Sequence, residues 1–366
     1  MNASRPLRSG LVARPFEGHA GLAGVEHAWE DLRSRCSLDP LCNRFDWAAA
    51  YARAWVPDED VFGWTLESPS GDLVGLGAFR NEPHRGRFSL PRVRLLTDGS
   101  FDSDYLDLFA LEDHESHVVG SLIELLTRRA GPQAVVLGPL DSQSRCLPHL
   151  REQLRSLSPR EERLACPAME LPASFDEYLS SLKKRMRSKV RQALRKVEER
   201  GGLYRWNRDP ARLGQDLEEL FTLHGERWRA IGGEGAFADP RRRSFYGDLL
   251  PRALDAGLLR FTSLELDGRV VANQVGLEVE GRYYQLQEGY LPEYEELRVG
   301  VALRAWMIEQ LIESGTRAYD FMAGASRHKT DWGGTDRTCI ELAAALPKPL
   351  GRLAYAARRV RDSLRG

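Results

Sequence analysis

One order of elements occurs twice in this chain, so any fold must accommodate two copies of the same unit. In the first half, Gly63-Trp64-Thr65-Leu66-Glu67 runs into Ser70-Gly71-Asp72 and then Leu73 to Ala78. In the second, Arg260 to Leu266 runs into Asp267-Gly268 and then Arg269 to Gln274. Each reads as two strands joined by a tight glycine turn. A loop, a helical pattern and an apolar strand ending at glycine follow each time. These are Asp104 to Asp107, Val118 to Arg129 and Ala134 to Gly138 in the first copy; in the second, the helical pattern of Gly300 to Ile312 is followed by Tyr319 to Gly324. Gly71 and Gly138 lie 67 positions apart, Gly268 and Gly324 lie 56 apart. Order is kept while loop length drifts, which predicts two α/β units with mixed central sheets.

The copies differ where the helix begins. The first has Glu112, Asp113, His114, Glu115 and Ser116 there, acids that repel a phosphate; the second has Arg298 and Gly300. A glycine at a helix entrance lets backbone N–H groups approach a phosphate, and the helix dipole favours the negative charge. The strand after this helix, Tyr319-Asp320-Phe321-Met322-Ala323-Gly324, carries one acid in an apolar run. An ionisable group at such a strand end must be paired or must work. Together these features predict a pyrophosphate-bearing cofactor in the second copy.

At 366 residues the chain exceeds one typical core. A net charge of −1 argues against a general nucleic-acid binder. No apolar run is long enough to span a membrane, and Met1 to Arg14 lacks the apolar core of an export signal, so a cytoplasmic setting is expected. Cys36, Cys42, Cys146, Cys166 and Cys339 lack metal spacing, and no metal site is expected; the pair His114 and His117 has no third ligand nearby.

From about Leu171 to Leu342 the chain resembles the CelD/BcsL branch of the GNAT superfamily, related in layout to the FemABX peptidyltransferases. The residues that carry the resemblance are Leu182 to Arg187 with the basic helix after it, Leu223-His224-Gly225-Glu226-Arg227-Trp228, and Asp267 to Ala272. It continues through Tyr283-Tyr284, Gly289-Tyr290, Pro292-Glu293-Tyr294, Gly300 and Tyr319-Asp320-Phe321 to Lys329 and Trp332-Gly333. The resemblance implies tandem GNAT-like domains and a coenzyme A-dependent N-acyltransferase. It implies that Arg282 to Gly289 is the strand whose backbone holds the thioester, with Tyr284 beside the reacting group. Gln287, Arg298, Val299, Gly300, Val301 and Ala302 are then expected to hold acetyl-CoA or a longer acyl-CoA. It points to a cell-surface polysaccharide or envelope acceptor. Long-chain amine acylation, aminoacyl transfer of the FemABX kind, and a non-catalytic adaptor of a synthase complex, suggested by the altered loop at Ala325 to His328, stay open.

Asp320 and His224 are both candidates for the general base. Arg227 and Trp228 share a helix face with His224 and are candidates to contact the acceptor. Lys329 either binds an acceptor anion or pairs with Asp320; His328 and Asp104 complete the acceptor candidates. A capping box at Ser174-Phe175-Asp176-Glu177 starts a basic helix that ends at Gly201-Gly202. Its cations from Lys183 to Lys196 form either a solvated face or a wall that attracts an anionic or membrane-presented acceptor. Residues 1–170 are expected to form the acceptor-side unit and 171–346 the cofactor unit. Residues 347–366 are expected to form a basic amphipathic helix that docks on the protein or touches an anionic membrane.

Overall fold

The computed structural model describes residues 7–82, 91–99, 102–324 and 327–348, the side chains of residues 327 and 328 excepted. The C-terminal helix expected at 347–366 thus falls almost wholly outside the described residues. The chain runs β1 (Val12–Glu17), α1 (Gly18–Gly24), α2 (Glu26–Arg35), α3 (Phe45–Trp55), β2 (Val61–Glu67), β3 (Leu73–Glu82), β4 (Arg92–Leu95) and β5 (Phe109–Ala110). It continues with α4 (Glu115–Arg128), β6 (Ala134–Asp141), α5 (Leu147–Leu154), β7 (Arg160–Glu170), α6 (Phe175–Ser181), α7 (Lys184–Glu199), β8 (Leu203–Trp206), α8 (Leu213–Arg229) and α9 (Pro240–Asp255). The remainder is β9 (Leu259–Leu266), β10 (Arg269–Val279), β11 (Arg282–Tyr290), α10 (Val299–Glu313), β12 (Ala318–Asp320), α11 (Arg327–Asp331) and β13 (Thr335–Ala345).

Two compact units emerge. One holds Met1–Leu164 with Thr338–Gly366, the other Ala165–Arg337. In the first the strand order is β1-β2-β3-β4-β6-β13, with β5 on β3; in the second it is β8-β9-β10-β11-β12-β7. The pairing senses match. Each sheet has four antiparallel strands, then one parallel step (β4 to β6, β11 to β12), then one antiparallel strand. Each parallel step is crossed by a helix, α4 or α10, as a parallel connection requires. The expected division at residue 170 lies at 164. Residues 338–346, expected in the cofactor unit, pair with β6 in the first unit. A strand's sequence shows its faces but not its partner, so the last strand of each sheet was not assignable from local pattern.

The basic helix is two helices. Ser174 caps α6 by accepting from the Glu177 N–H at 3.2 Å, and Leu182, with φ −70° and ψ 149°, breaks the chain before α7. On α7, Met186 and Val190 pack with Ile308, Leu311, Tyr319, Phe321 and Trp332. Ala193 and Val197 pack with Leu264, Val271, Ala302 and Leu303. Full burial of a side chain of this size stabilises by about 1.5–3 kcal/mol. This apolar stripe fixes α7 against α10 and leaves its cationic face turned elsewhere.

Candidate active site

The parallel strands β11 and β12 pair only over Arg282–Tyr284 and Ala318–Asp320. Beyond that point β11 runs on for six residues, to Tyr290, without β12 beside it. Its register against β10 slips there: Val275 faces Gln287 while Gly276 faces Gln285, so Leu286 is bulged. A bulge re-aims the side chains that follow it. Gly289 has α8 almost against its backbone; a Cβ there would lie 2.5 Å from the His224 nitrogen.

Past β11 the chain reaches α10 through Arg298, which takes the left-handed conformation (φ 57°, ψ 44°) as N-cap and gives no side-chain cap. The first N–H groups of a helix have no intrahelical acceptor, and a cation at this end is opposed by the helix dipole. The N-terminus of α10 is thus arranged for an anion. It opens on a groove of about 1260 Å³ that Arg298, Val299, Gly300 and Val301 line. Lys183, Arg185, Lys189 and Lys196 line the facing wall. Burial first, then the charge of Arg298, holds the Lys189 ammonium below the usual lysine range. Lys184, Arg187, Arg191 and Arg195 are absent from the lining; Lys184, Arg191 and Arg195 are solvated helix surface, while Arg187 is half-buried and donates to the Leu182 carbonyl at 3.4 Å.

The floor carries Glu288, Tyr290 and Arg304. Arg304 is buried and pairs with Glu288, its guanidinium lying over the Phe321 and Trp332 rings. Arg227 donates to the other Glu288 oxygen at 2.9 Å and stacks on Tyr290. Gln285 donates to Glu288 at 3.1 Å and accepts from the Tyr319 hydroxyl at 2.8 Å, and Gln274 donates to Tyr319 and Tyr283. A chain of oriented hydrogen bonds thus runs from the sheet interior to the groove.

Of the residues expected at the site, Arg227, Arg298, Val299, Gly300 and Val301 come together in this groove, and Ala302 is buried beneath it. The others stand elsewhere. Asp320 is fully buried; it accepts from the Met322 N–H at 2.8 Å and from Arg337 at 3.2 Å. Tyr284, expected beside the reacting group, is fully buried, as is its neighbour Tyr283. His224 is buried against Phe237 and accepts from Trp228 at 3.0 Å through Nε2, which leaves the proton on Nδ1 in the neutral ring. Burial, then Arg227, lowers His224 to about 4, and Gln287 lies beside it rather than in the groove lining. Trp228 is 38% exposed beside it. Lys329 donates to the Met322 and Ala323 carbonyls at 2.9 and 2.7 Å. The His328 side chain lies outside the described residues. Asp104 is buried in the other unit. Sequence reading had Lys189 among the cations of the possible wall, but missed Glu288, Tyr290, Arg304 and Asp331. Only the acid at Glu288, in an otherwise uncharged strand interior, was a usable signal.

Among the described residues the first unit lacks the opening. Its parallel step also pairs three residues, Arg92–Arg94 with Ala134–Val136. Past it, Leu106 takes the vacated edge of β6, donating to the Pro139 carbonyl at 2.8 Å and accepting from the Asp141 N–H at 3.2 Å. At the start of α4, Glu112 and Glu115 both pair with Arg145. The chain itself fills the wedge that stands open in the second unit.

Residues 184–330 match the family model of the acetyltransferase (GNAT) domain. The fold is similar to that of a crystal structure of FemX, at 13% identity over 90% of this chain and 98% of that one, with a TM-score of 0.59. It is similar to a tandem GNAT protein from the clavulanic acid biosynthesis pathway (15% identity, 93% and 99% covered, TM-score 0.51). It is also similar to L-PGS from Bacillus licheniformis (13% identity, 91% and 96% covered, TM-score 0.52). No curated protein sequence matches the chain. The chain is an α/β protein of two tandem GNAT-like units, and its residues 184–330 are a GNAT-type acyltransferase domain.

Proposed function

We propose that the protein is an acyl-CoA-dependent N-acyltransferase of the CelD/BcsL kind, acting on an amine acceptor of envelope biosynthesis. The observation that carries the cofactor reading is the uncapped N-terminus of α10, opening on a cationic groove beside strands that splay apart. A coenzyme A fits this arrangement. The N–H groups of Val299 and Gly300, with Arg298 and Lys189, would hold its pyrophosphate. Gly300 leaves room there, since a Cβ at this position already lies 3.0 Å from the Tyr290 ring. The thioester supplies an activated acyl group.

The chain's own residues have positioning to do. The unpaired edge of β11 after Tyr284 would align the thioester, and a backbone N–H there would meet the carbonyl oxygen as charge develops. The acceptor nitrogen forms the new C–N bond, the C–S bond breaks, and the sulfur leaves as the thiol with one proton. Glu288 is the floor carboxylate placed to take the nitrogen's proton, its charge compensated by Arg227 and Arg304. The acceptor class follows the family resemblance; the basic groove wall supports an anionic one.

Calorimetry with acetyl-CoA, longer acyl-CoAs and coenzyme A tests the reading. Binding to the full chain is expected, followed by thiol release when a suitable amine is added. Absence of binding at millimolar concentration would sink it.

A further inference from the structure

The groove's cations are spread too widely for one phosphate. Arg185, Lys189, Gln192 and Lys196 recur at helical spacing along the wall, and eleven residues of helix span about 16 Å. At one end Lys196 donates to the Glu296 carbonyl at 2.8 Å, and Glu295 and Glu296 stand beside it. In the middle, Lys189 feels Arg298 at the N-terminus of α10. Lys183, Arg185 and Ser188 line the groove together with Thr330 and Asp331, and the charges of Asp331 and Arg185 both reach Lys189. Lys183 and Arg185 are exposed, and among the described residues neither they nor Asp331 forms an ion pair.

We propose that this third stretch is a second anion subsite: Lys183 and Arg185 take the phosphate of a phosphorylated amine acceptor, and Asp331 receives its nitrogen as ammonium before that nitrogen, having lost one proton to solvent, reaches Glu288 and the thioester. The inference rests on the cofactor reading above and deepens it. The middle stretch already provides for the cofactor's pyrophosphate. A purely anionic group would be repelled by Asp331, whereas a molecule with both charges satisfies all three side chains. The volume of about 1260 Å³ exceeds the roughly 300–1,000 Å³ of a one-ligand pocket.

The probe is O-phosphoethanolamine, which carries a phosphate two carbons from an amine. The full chain, saturated with coenzyme A, is titrated with it calorimetrically; ethanolamine serves as the phosphate-free control. Binding is expected for the first and not for the second. Lys183→Gln/Arg185→Gln and Asp331→Asn should each weaken it about fivefold or more and leave coenzyme A affinity within about twofold. Mutual exclusion of probe and coenzyme A would overturn the proposal. So would a double variant that loses affinity for coenzyme A but not for 3′-dephospho-coenzyme A, because the cofactor's own 3′-phosphate then fills this end. If wild-type protein binds no coenzyme A, the cofactor reading fails separately, and titration of the unliganded chain still decides the subsite. No binding of the probe to either form refutes it.

Discussion

Glu288 and Arg304 meet under the groove as a close ion pair, the Arg304 side chain 3% exposed and that of Glu288 16%. A buried guanidinium left without its anion is costly, by about 3–5 kcal/mol. Glu288→Gln is therefore expected to lower the urea midpoint of the full chain markedly. The double variant Glu288→Gln/Arg304→Met should recover much of the loss, because it removes the orphaned charge. A single variant as stable as wild type would show that the pair contributes nothing. If Glu288 also takes the amine proton, the folded fraction of Glu288→Gln should lose roughly 10²–10⁴ in kcat.

Gly300→Glu places bulk and negative charge at the phosphate end of α10, so coenzyme A affinity should fall about tenfold or more. Gly300→Ala is the steric control, since its Cβ meets the Tyr290 ring at 3.0 Å and adds no charge. Equal losses in the two variants would show that crowding of Tyr290, not phosphate recognition, sets the effect.

Leu106 fills the wedge of the first unit. Coenzyme A should accordingly bind once per chain, read from the calorimetric stoichiometry. Two equivalent sites would contradict the difference between the units.

Asp320→Asn should lower the melting temperature, because Arg337 loses its charged partner and the turn at Met322 (φ 59°) loses its strongest acceptor. The cost expected is about 1–3 kcal/mol. Folded variant should retain activity. A loss of roughly 10²–10⁴ in rate at unchanged melting temperature would instead return Asp320 to the role of general base.

His224, lowered to about 4 from 6.5, is neutral in the fold at neutral pH. Between pH 6.5 and about 4 the unfolded chain binds a proton that the folded chain refuses. Stability is therefore complete above this window and falls with pH inside it, by at most about 1.4 kcal/mol per pH unit. His224→Gln should flatten this part of the curve in denaturation series at fixed pH. An unchanged slope would place the titration elsewhere.

What the sequence determined by itself was local and repeated. The glycine hairpins at Gly71 and Gly268, the cap at Ser174 and the helix entered at Arg298 were all legible, because turn chemistry and periodicity act over a few residues. So was the difference between the two helix entrances. The tertiary structure decided the partners. Residues 338–346 complete the first sheet, and a strand's own pattern cannot say which edge it joins. The bulge at Leu286 shifted the alternation on β11, so Glu288 reached the groove while Tyr284 went into the core. Asp320 looked reactive because an acid in an apolar strand must be paired or must work, and its partner Arg337 lies 17 residues on, beyond a loop and a helix. Which cations of α7 face a ligand followed only once its apolar stripe was seated on α10, since packing, not charge, sets the rotation of a helix.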